Sequence, residues 1–544
     1  MGRTSKLGIA LSLTLFVGCG RAGYDGRGSE TERSNNPTEA GSDGDASDGG
    51  ETDDRQASRT LRLQAQSTDS AGTIIGALTR VVDFDRLSST ALPASVRIDS
   101  DGFVELTESI SSDVSGSVVV SDRSGDLVPV ELRVSVTRIT ESNVVTWGEN
   151  QNNVLLDATR TTVSLPNERD DLALSFRDIS IANDFACGLL NDGAAYCWGS
   201  GEHGQLGTNS TEDASDATRV DTSLQFRSIA VTSDTWSNSV AGHTCALSPE
   251  GRAYCWGSNV FGQLGDGTRE DRAAPTAVST DQRFEEIHAG ENHTCALAFS
   301  GQISCWGRGS AGQLGDGGFN DALTPRPIDA EMRFADLAVG ATRSCALSDA
   351  GELLCWGYRD FVDVELIQDD APERTTWPSV SSPRPYGEQR PYVSLEAGGS
   401  STCAIDEDGG VWCFGHAMYG RLGIGNYDLE TRQYTDGIDF NTIVNLPRAV
   451  NTSARFKLIN IGLSVTCGIS TTDAMWCWGR NDQGVDGNLG LGYFSGSGGS
   501  VALDDPRAEA HGPFGKYSPV LIDASRRYRD VSIGRDAVFG IPAD

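Results

Sequence analysis

The stretch 283–317, RFEEIHAGENHTCALAFSGQISCWGRGSAGQLGDG, recurs along the chain and constrains its fold more than any other feature. One copy precedes it, with Phe226, Cys245, Cys255 and Trp256, and another follows, with Phe334, Cys345, Cys355 and Trp356. A period of roughly 50 residues carrying several short apolar runs is the mark of a repeat architecture. Within one period Phe284, Ile287 and Ala289 form a first run, 294–297 a second and 303–306 a third, and a weaker run follows Pro325. Each has strand length, so one repeat reads as one four-stranded blade.

Turn chemistry supports this reading. The link between second and third runs repeatedly ends in glycine, as in Asn191-Asp192-Gly193, Pro249-Glu250-Gly251 and Asp349-Ala350-Gly351. Glycine takes a positive φ without a Cβ clash, which suits a tight hairpin.

The recurring series H-T-C-A-L, C-W-G and G-Q-L-G-D-G resembles the regulator-of-chromosome-condensation (RCC1-like) repeat family over about 400 residues, from Val144 onward. The resemblance implies an all-β fold, a seven-bladed β-propeller. It implies no single activity, because members range from guanine-nucleotide exchange factors to a bacterial inhibitor of β-lactamase.

The blade number also follows from the residues. Trp-Gly, or Phe-Gly once, occurs at Trp147, Trp198, Trp256, Trp306, Trp356, Phe414 and Trp478, giving seven third strands. The first lacks first and second strands before it, whereas the final 528–541 segment has a first and second strand but no third. Together they complete one blade, closing the ring with strands from both ends and removing open sheet edges.

Six cysteine pairs share one spacing: Cys187-Cys197, Cys245-Cys255, Cys295-Cys305, Cys345-Cys355, Cys403-Cys413 and Cys467-Cys477. The split blade has Phe539 and Thr146 instead, so both partners are missing together, as pairing within a blade requires. A hairpin sets these positions opposite one another, within reach of a disulfide. Zinc fits poorly, since C-x9-C lacks the close ligand pairs of zinc sites.

The thirteenth cysteine is Cys19. Arg3 and Lys6 precede an apolar run, 7–17, too short for a stable membrane span and suited to an export signal. The junction Phe16-Val17-Gly18-Cys19 resembles a bacterial lipoprotein signal, in which Cys19 becomes the lipidated first residue; Phe16 stands where such motifs commonly have Leu. An ordinary signal peptide is the alternative. Residues 1–18 are thus read as a signal peptide. The stretch 19–56, poor in apolar residues and rich in acids, is read as a disordered tether spanning on the order of 30 Å. Short alternating runs over 57–139, ending in V-E-L-R-V-S-V-T, fit a small β-sandwich of immunoglobulin-like or cadherin-like type. There Asp99, Asp101, Asp122 and Asp126 suit turns better than calcium ligation. The propeller occupies 140–544.

Positions that agree among copies are scaffold; those that depart are the functional candidates. The tryptophans before Gly and the Gly204-Gln205-Leu206-Gly207 loops belong to the first kind. Insertions fall between first and second strands at 233–240, and after the third strand at 358–391, 416–447 and 480–519. In an antiparallel blade these connections emerge on one face. That face collects Trp236, Tyr358, Phe361, Trp377, Tyr427, Tyr434 and Tyr493, along with Tyr419, Phe440 and Phe494. Aromatics amid polar loops suit interface anchors, or small cores under their own loops.

No catalytic motif or metal spacing stands out. His243 and His293 share one repeat position, which marks them as scaffold; His203, His288, His416 and His511 are isolated in sequence. No acid/base pair is legible among 76 acidic residues. The net charge of −33 opposes binding to phosphate backbones and leaves basic proteins, cations or neutral glycans as partners. The sequence therefore points to an envelope-anchored, disulfide-stapled binding platform, not an enzyme, with no cofactor. A protein is the expected partner and a glycan the other candidate, and the membrane is reached through Cys19. The alternatives are an exported lyase or glycan-acting hydrolase, or a structural envelope component.

Overall fold

The computed structural model describes residues 144–543 except 158–161, 170–171, 173, 234–240, 330, 359–378, 389, 426, 429–432, 435–442, 481–488, 490–510, 513–514 and 536. Before residue 144 it describes only the backbone of eight strands. Seven four-stranded antiparallel blades follow one another, each running from an inner strand at the ring axis to an outer strand at the rim; the last also pairs a two-residue strand beyond its outer edge. The inner strands are Tyr528–Ile533 for blade 1, then Phe176–Ile181, Ser228–Ser233, Phe284–Ala289, Phe334–Val339, Tyr392–Gly398 and Phe456–Ile461 for blades 2 to 7.

Blade 1 is the closure. Its inner and second strands, Tyr528–Ile533 and Ala537–Pro542, come from the end of the chain, and its third and outer strands, Val145–Glu149 and Thr162–Glu168, from the start of the propeller. Val538 lies opposite Trp147 and Phe539 opposite Thr146. The seam is therefore zipped by main-chain bonds, and the strand edges from the two ends of the propeller pair with each other.

The core lies within and between blades. Trp147, Trp198, Trp256, Trp306, Trp356 and Trp478 are fully buried. In blades 2, 4 and 7 the first phenylalanine of the inner strand, and in blade 3 Phe226 just ahead of it, packs on this tryptophan at 5.5 to 6.2 Å between centroids. A buried tryptophan removes on the order of 200 Å² from water, about 5 kcal/mol of transfer energy before entropy is charged against it.

The last glycine of four G-x-L-G loops serves the next blade. Gly207 has φ +67°, and a Cβ there would lie 2.7 Å from the Trp256 indole nitrogen; Gly265, Gly315 and Gly423 meet Trp306, Trp356 and Trp478 in the same way. The loop must turn left-handed while touching an indole, which only glycine allows. The same loops receive hydroxyl bonds from the following blade: Thr244 donates to the Gln205 carbonyl, Thr294 to Gln263 and Thr466 to Arg421.

Disulfides join second and third strands in six blades: Cys187–Cys197, Cys245–Cys255, Cys295–Cys305, Cys345–Cys355, Cys403–Cys413 and Cys467–Cys477. The partners are directly opposite in register, as at Cys187 and Cys197, with Cα atoms 4.1 Å apart. In blade 1 the equivalent pair is Phe539 opposite Thr146.

The outer strands are guarded differently. Pro166, Pro275, Pro325, Pro383, Pro447 and Pro519 share one register position, immediately before the residue opposite the cysteine site. Inward bonds fall on alternate residues, for example Val278 N–H to the Ala253 carbonyl, so the proline nitrogen faces outward and no ladder bond is lost. Blade 2 has Ala217 there.

Proline-bearing, half-exposed strands lack apolar alternation, so the three insertions expected after third strands were drawn too long. The ranges 358–391, 416–447 and 480–519 take in the outer strand Ser379–Pro385 and most of the outer strands Ile443–Ala449 and Gly515–Asp523. Before residue 144 the strands form a five-stranded and a three-stranded antiparallel sheet. Gly8–Val17, the segment read as an export signal, pairs between Arg59–Gln66 and Leu127–Ile139, an arrangement open only to the uncut chain.

Candidate functional site

Each inner strand begins with an aromatic, or with Phe226 just ahead of it in blade 3; six of the seven have a bulge between the first and third residues, and alternation runs from the third. The fourth residue (Ile179, Ile287, Leu337, Leu395, Ile459, Val531) is buried among core side chains, while the third and fifth share the opposite side. The third positions hold Asp178, Ser228, Glu286, Asp336, Ser394, Leu458 and Asp530, and the fifth hold Ser180, Ala230, His288, Ala338, Glu396, Asn460 and Ser532. The bore is thus lined by two polar tiers with a large excess of carboxylates.

Several of these side chains tie adjacent blades together. Asp336 accepts the Leu337 N–H of its own strand at 2.8 Å and the Leu395 N–H of the next blade at 2.7 Å. Asp178 accepts from Ile229 across the seam to blade 3. The Val231 N–H donates to the Ser180 hydroxyl at 3.0 Å, and Ile533 N–H to the Asn460 side-chain oxygen at 3.1 Å, each between neighbouring blades.

Burial in this space, reinforced by like charge, shifts titration. Burial, reinforced by the Glu286 charge, pushes the Asp336 carboxyl up to about 8 despite its two N–H donors. Burial raises Glu396 to about 7, opposed by His288 and aided by the Asp530 and Glu286 charges. Asp530 rises to about 7 by burial, with Asp178 adding repulsion. Asp178 is raised by burial against the attraction of Arg177. Burial disfavours the His288 cation, but Glu286, Glu396 and Asp336 outweigh it and lift its pKa above the ordinary value. His288 Nε2 stands 3.9 Å from Glu286 Oε2.

At one end of the bore is a cavity of about 180 Å³. Its walls are the ends of all seven inner strands and the turns that follow, including His288, Glu291, Glu396, Asn460 and Ser532. Inner strands run toward this end, and third strands run parallel to them, so the connections after both emerge here. The cavity therefore opens on the face that carries the insertions. Among the described residues no three His, Cys, Asp or Glu side chains are arranged to hold a metal.

The sequence-derived face residues fare unevenly. Tyr358 closes the third strand of blade 5 and is half-buried. The backbones of Tyr427 and Tyr434 pair with each other in a two-residue ribbon. Tyr419 has φ +59° and lies under the Arg480 guanidinium, 5.0 Å from its ring centroid. Trp236, Phe361, Trp377, Phe440, Tyr493, Phe494 and Cys19 lie outside the described residues.

Two histidines read as isolated are not. His203 lies 2.8 Å from Asp271 of the next blade, and His288 belongs to the bore cluster; sequence distance hid both contacts, 68 residues apart in the first case. His243 and His293 are fully buried, with Nε2 bonded to Thr294 and Ser344 of the following blades. Burial lowers both pKa values to about 3. The bore acids themselves were missed. For Asp178, Glu286, Asp336 and Asp530 the signal is an acid two residues after the first aromatic, as in Phe176-Arg177-Asp178 and Phe334-Ala335-Asp336, whereas Glu396 stands four residues after Tyr392.

Comparison with known proteins bears on the same region. The model of the regulator of chromosome condensation (RCC1) repeat matches residues 192–231, 250–297 and 300–347, and a second model of that description matches 176–205 and 285–313. The E3 ubiquitin-protein ligase HERC2 of Homo sapiens is 30% identical over 139 residues, 25% of this chain and 3% of that protein. The ultraviolet-B receptor UVR8 of Arabidopsis thaliana is 29% identical over 136 residues, 25% of this chain and 30% of that one. The match thus spans a small part of these relatives. Among solved structures, Prp20p from Saccharomyces cerevisiae, described with its binding to Gsp1p and histones, gives a TM-score of 0.58 at 20% identity, covering 74% of this chain and 92% of that one. Human WBSCR16 gives 0.57 at 16% identity, covering 74% and 99%. The chain therefore carries regulator of chromosome condensation (RCC1) repeats between residues 176 and 347, and its seven-bladed ring is similar in fold to these solved propellers.

Proposed function

We propose that the chain is an envelope-anchored lipoprotein whose propeller is a rigid platform for recognising a protein partner. The observation that carries the reading is the coincidence of two features on one face: every long departure from the repeat leaves the ring at the end where the axial cavity lies. Repeated ring elements fix the loops, and the loops supply recognition. Relatives in fold support a protein partner, since Prp20p is described with its binding to Gsp1p and histones. Six disulfides require an oxidising compartment, in keeping with the export signal and with lipid attachment at Cys19. The acidic segment 19–56 and the β-rich segment 57–139, a small β-sandwich in this reading, act as spacer.

The test is affinity capture from the envelope fraction with the full chain beside a Trp236→Ala/Trp377→Ala variant, each checked for folding. One species held by the native chain and lost by the variant supports the platform. Equal capture by both removes the insertion face from the reading.

One observation favours a second reading. Glu396 borders the cavity with a pKa near 7, beside His288, which is a fitting place for general acid/base chemistry on a glycan. Loss of a detected hydrolase or lyase activity in Glu396→Gln would select this reading over the platform.

A further inference from the structure

The bore acids serve two purposes that conflict. They bridge the seams between blades, as Asp336 does to Leu395 and Asp178 to Ile229, and they face one another across a narrow space. Around the ring the facing groups are Asp178 with Arg177 from blade 2, Glu286 and His288 from blade 4 and Asp336 from blade 5. Glu396 from blade 6 and Asp530 with Arg529 from blade 1 complete the set. Blades 3 and 7 contribute Ser228, Ala230, Leu458 and Asn460, which carry no charge. Five carboxylates thus meet one histidine, and the two arginines lie beside the Asp178 and Asp530 pair, leaving Glu286, Asp336 and Glu396 to share His288.

We propose that the bore is a proton-operated latch: protonated acids hold the inner strands together around the axial cavity, and ionised acids push the seams between blades 4, 5 and 6 apart. The cavity is then tight in acid and loosened in alkali at the face where the insertions emerge. The latch is a property of the ring and holds whether the face binds a protein or a glycan.

The sign follows from linkage. A carboxyl raised from about 4 when unfolded to about 7 or 8 when folded gives the folded chain extra protons across that interval. The associated stability is complete near pH 4 and is lost as pH rises through 7 to 8. His288, raised in the folded state, loses its contribution in the same direction. His243 and His293 are neutral in both folded and unfolded chains above about 6.5, so the interval from pH 6.5 to 8.5 reads the bore.

The test is hydrogen exchange on the full chain at pH 6.5 and 8.5, corrected for intrinsic exchange rates, with the native chain beside Asp336→Asn/Glu396→Gln. Asparagine keeps an acceptor for the Leu395 N–H while removing the charge. The latch requires protection of 334–339 and 392–398 to fall about tenfold across this interval in the native chain, the effect of one proton over about one pH unit. Outer strands should hold their protection, and the variant should flatten the change. Uniform loss over all strands, no loss at the inner strands, or an unchanged profile in the variant would each overturn it. If the double variant does not fold, Asp336→Asn alone is read by the same criteria.

Discussion

Gly207 of blade 2 sits against the indole of Trp256 in blade 3, so close that a Cβ at this glycine would lie 2.7 Å from the ring nitrogen. The contact recurs from blade to blade and couples the G-x-L-G loop to the W-G strand, two motifs that sequence presents as separate. Gly207→Ala must therefore strain a φ of +67° and displace a buried tryptophan. The expected loss is about 2–4 kcal/mol, read as a lower denaturant midpoint. Gly425→Ala, with nothing within 4 Å, should leave the midpoint nearly unchanged.

Removing a disulfide acts on one blade at a time. Cys187→Ala/Cys197→Ala should cost ~2–3 kcal/mol by the loop-closure estimate for so short a loop. Because Cys345 and Cys355 sit in a different blade, deleting both bonds should cost about the sum. Denaturation of the two variants and their combination checks both statements; strong non-additivity would show that the bonds stabilise the ring as a whole.

Blade 2 carries Ala217 where six other outer strands carry proline. Its N–H points away from the ladder by the same alternation. Ala217→Pro should be accepted and raise stability by about 0.4–1 kcal/mol through the unfolded chain. A fall in melting temperature would mean that this edge differs in backbone angle from the other six.

The buried histidines predict an acid response opposite to that of the bore. His243 and His293 are held neutral, with folded values of about 3 against about 6.5 unfolded, so the unfolded chain takes up more protons between these limits. Their contribution is present above 6.5 and lost as pH falls toward 3. Relative to the native chain, His293→Gln should gain about 1.4 kcal/mol per pH unit on acidification from 6.5 to 4.5, measured as a difference in stability slope. Parallel slopes would show that the imidazole is charged when folded.

Much of the ring is legible in the sequence. The Trp-Gly series counts the blades, and Cys187 with Cys197 marks two strands and their register, because a disulfide demands opposed positions. The outer strands were harder: Ser379–Pro385 has serine and proline where an alternating pattern would be sought, so it merged with the insertion before it. The bore was hidden for another reason. Asp336 is raised by burial inside the closed ring and then by Glu286 of another blade, some fifty residues away, and no local pattern encodes either.

Sequence by itself determined the repeat, the number of blades, the disulfide partners and the strand exchange that closes the ring, since each depends on spacing within one or two repeats. Only the tertiary structure decided what the ring encloses. Asp178, Glu286, Asp336, Glu396 and Asp530 are single acids on separate strands until closure turns their third and fifth positions toward one axis. Their electrostatics then arise from distances across the bore and from lost solvent, quantities that exist only once seven blades have come together.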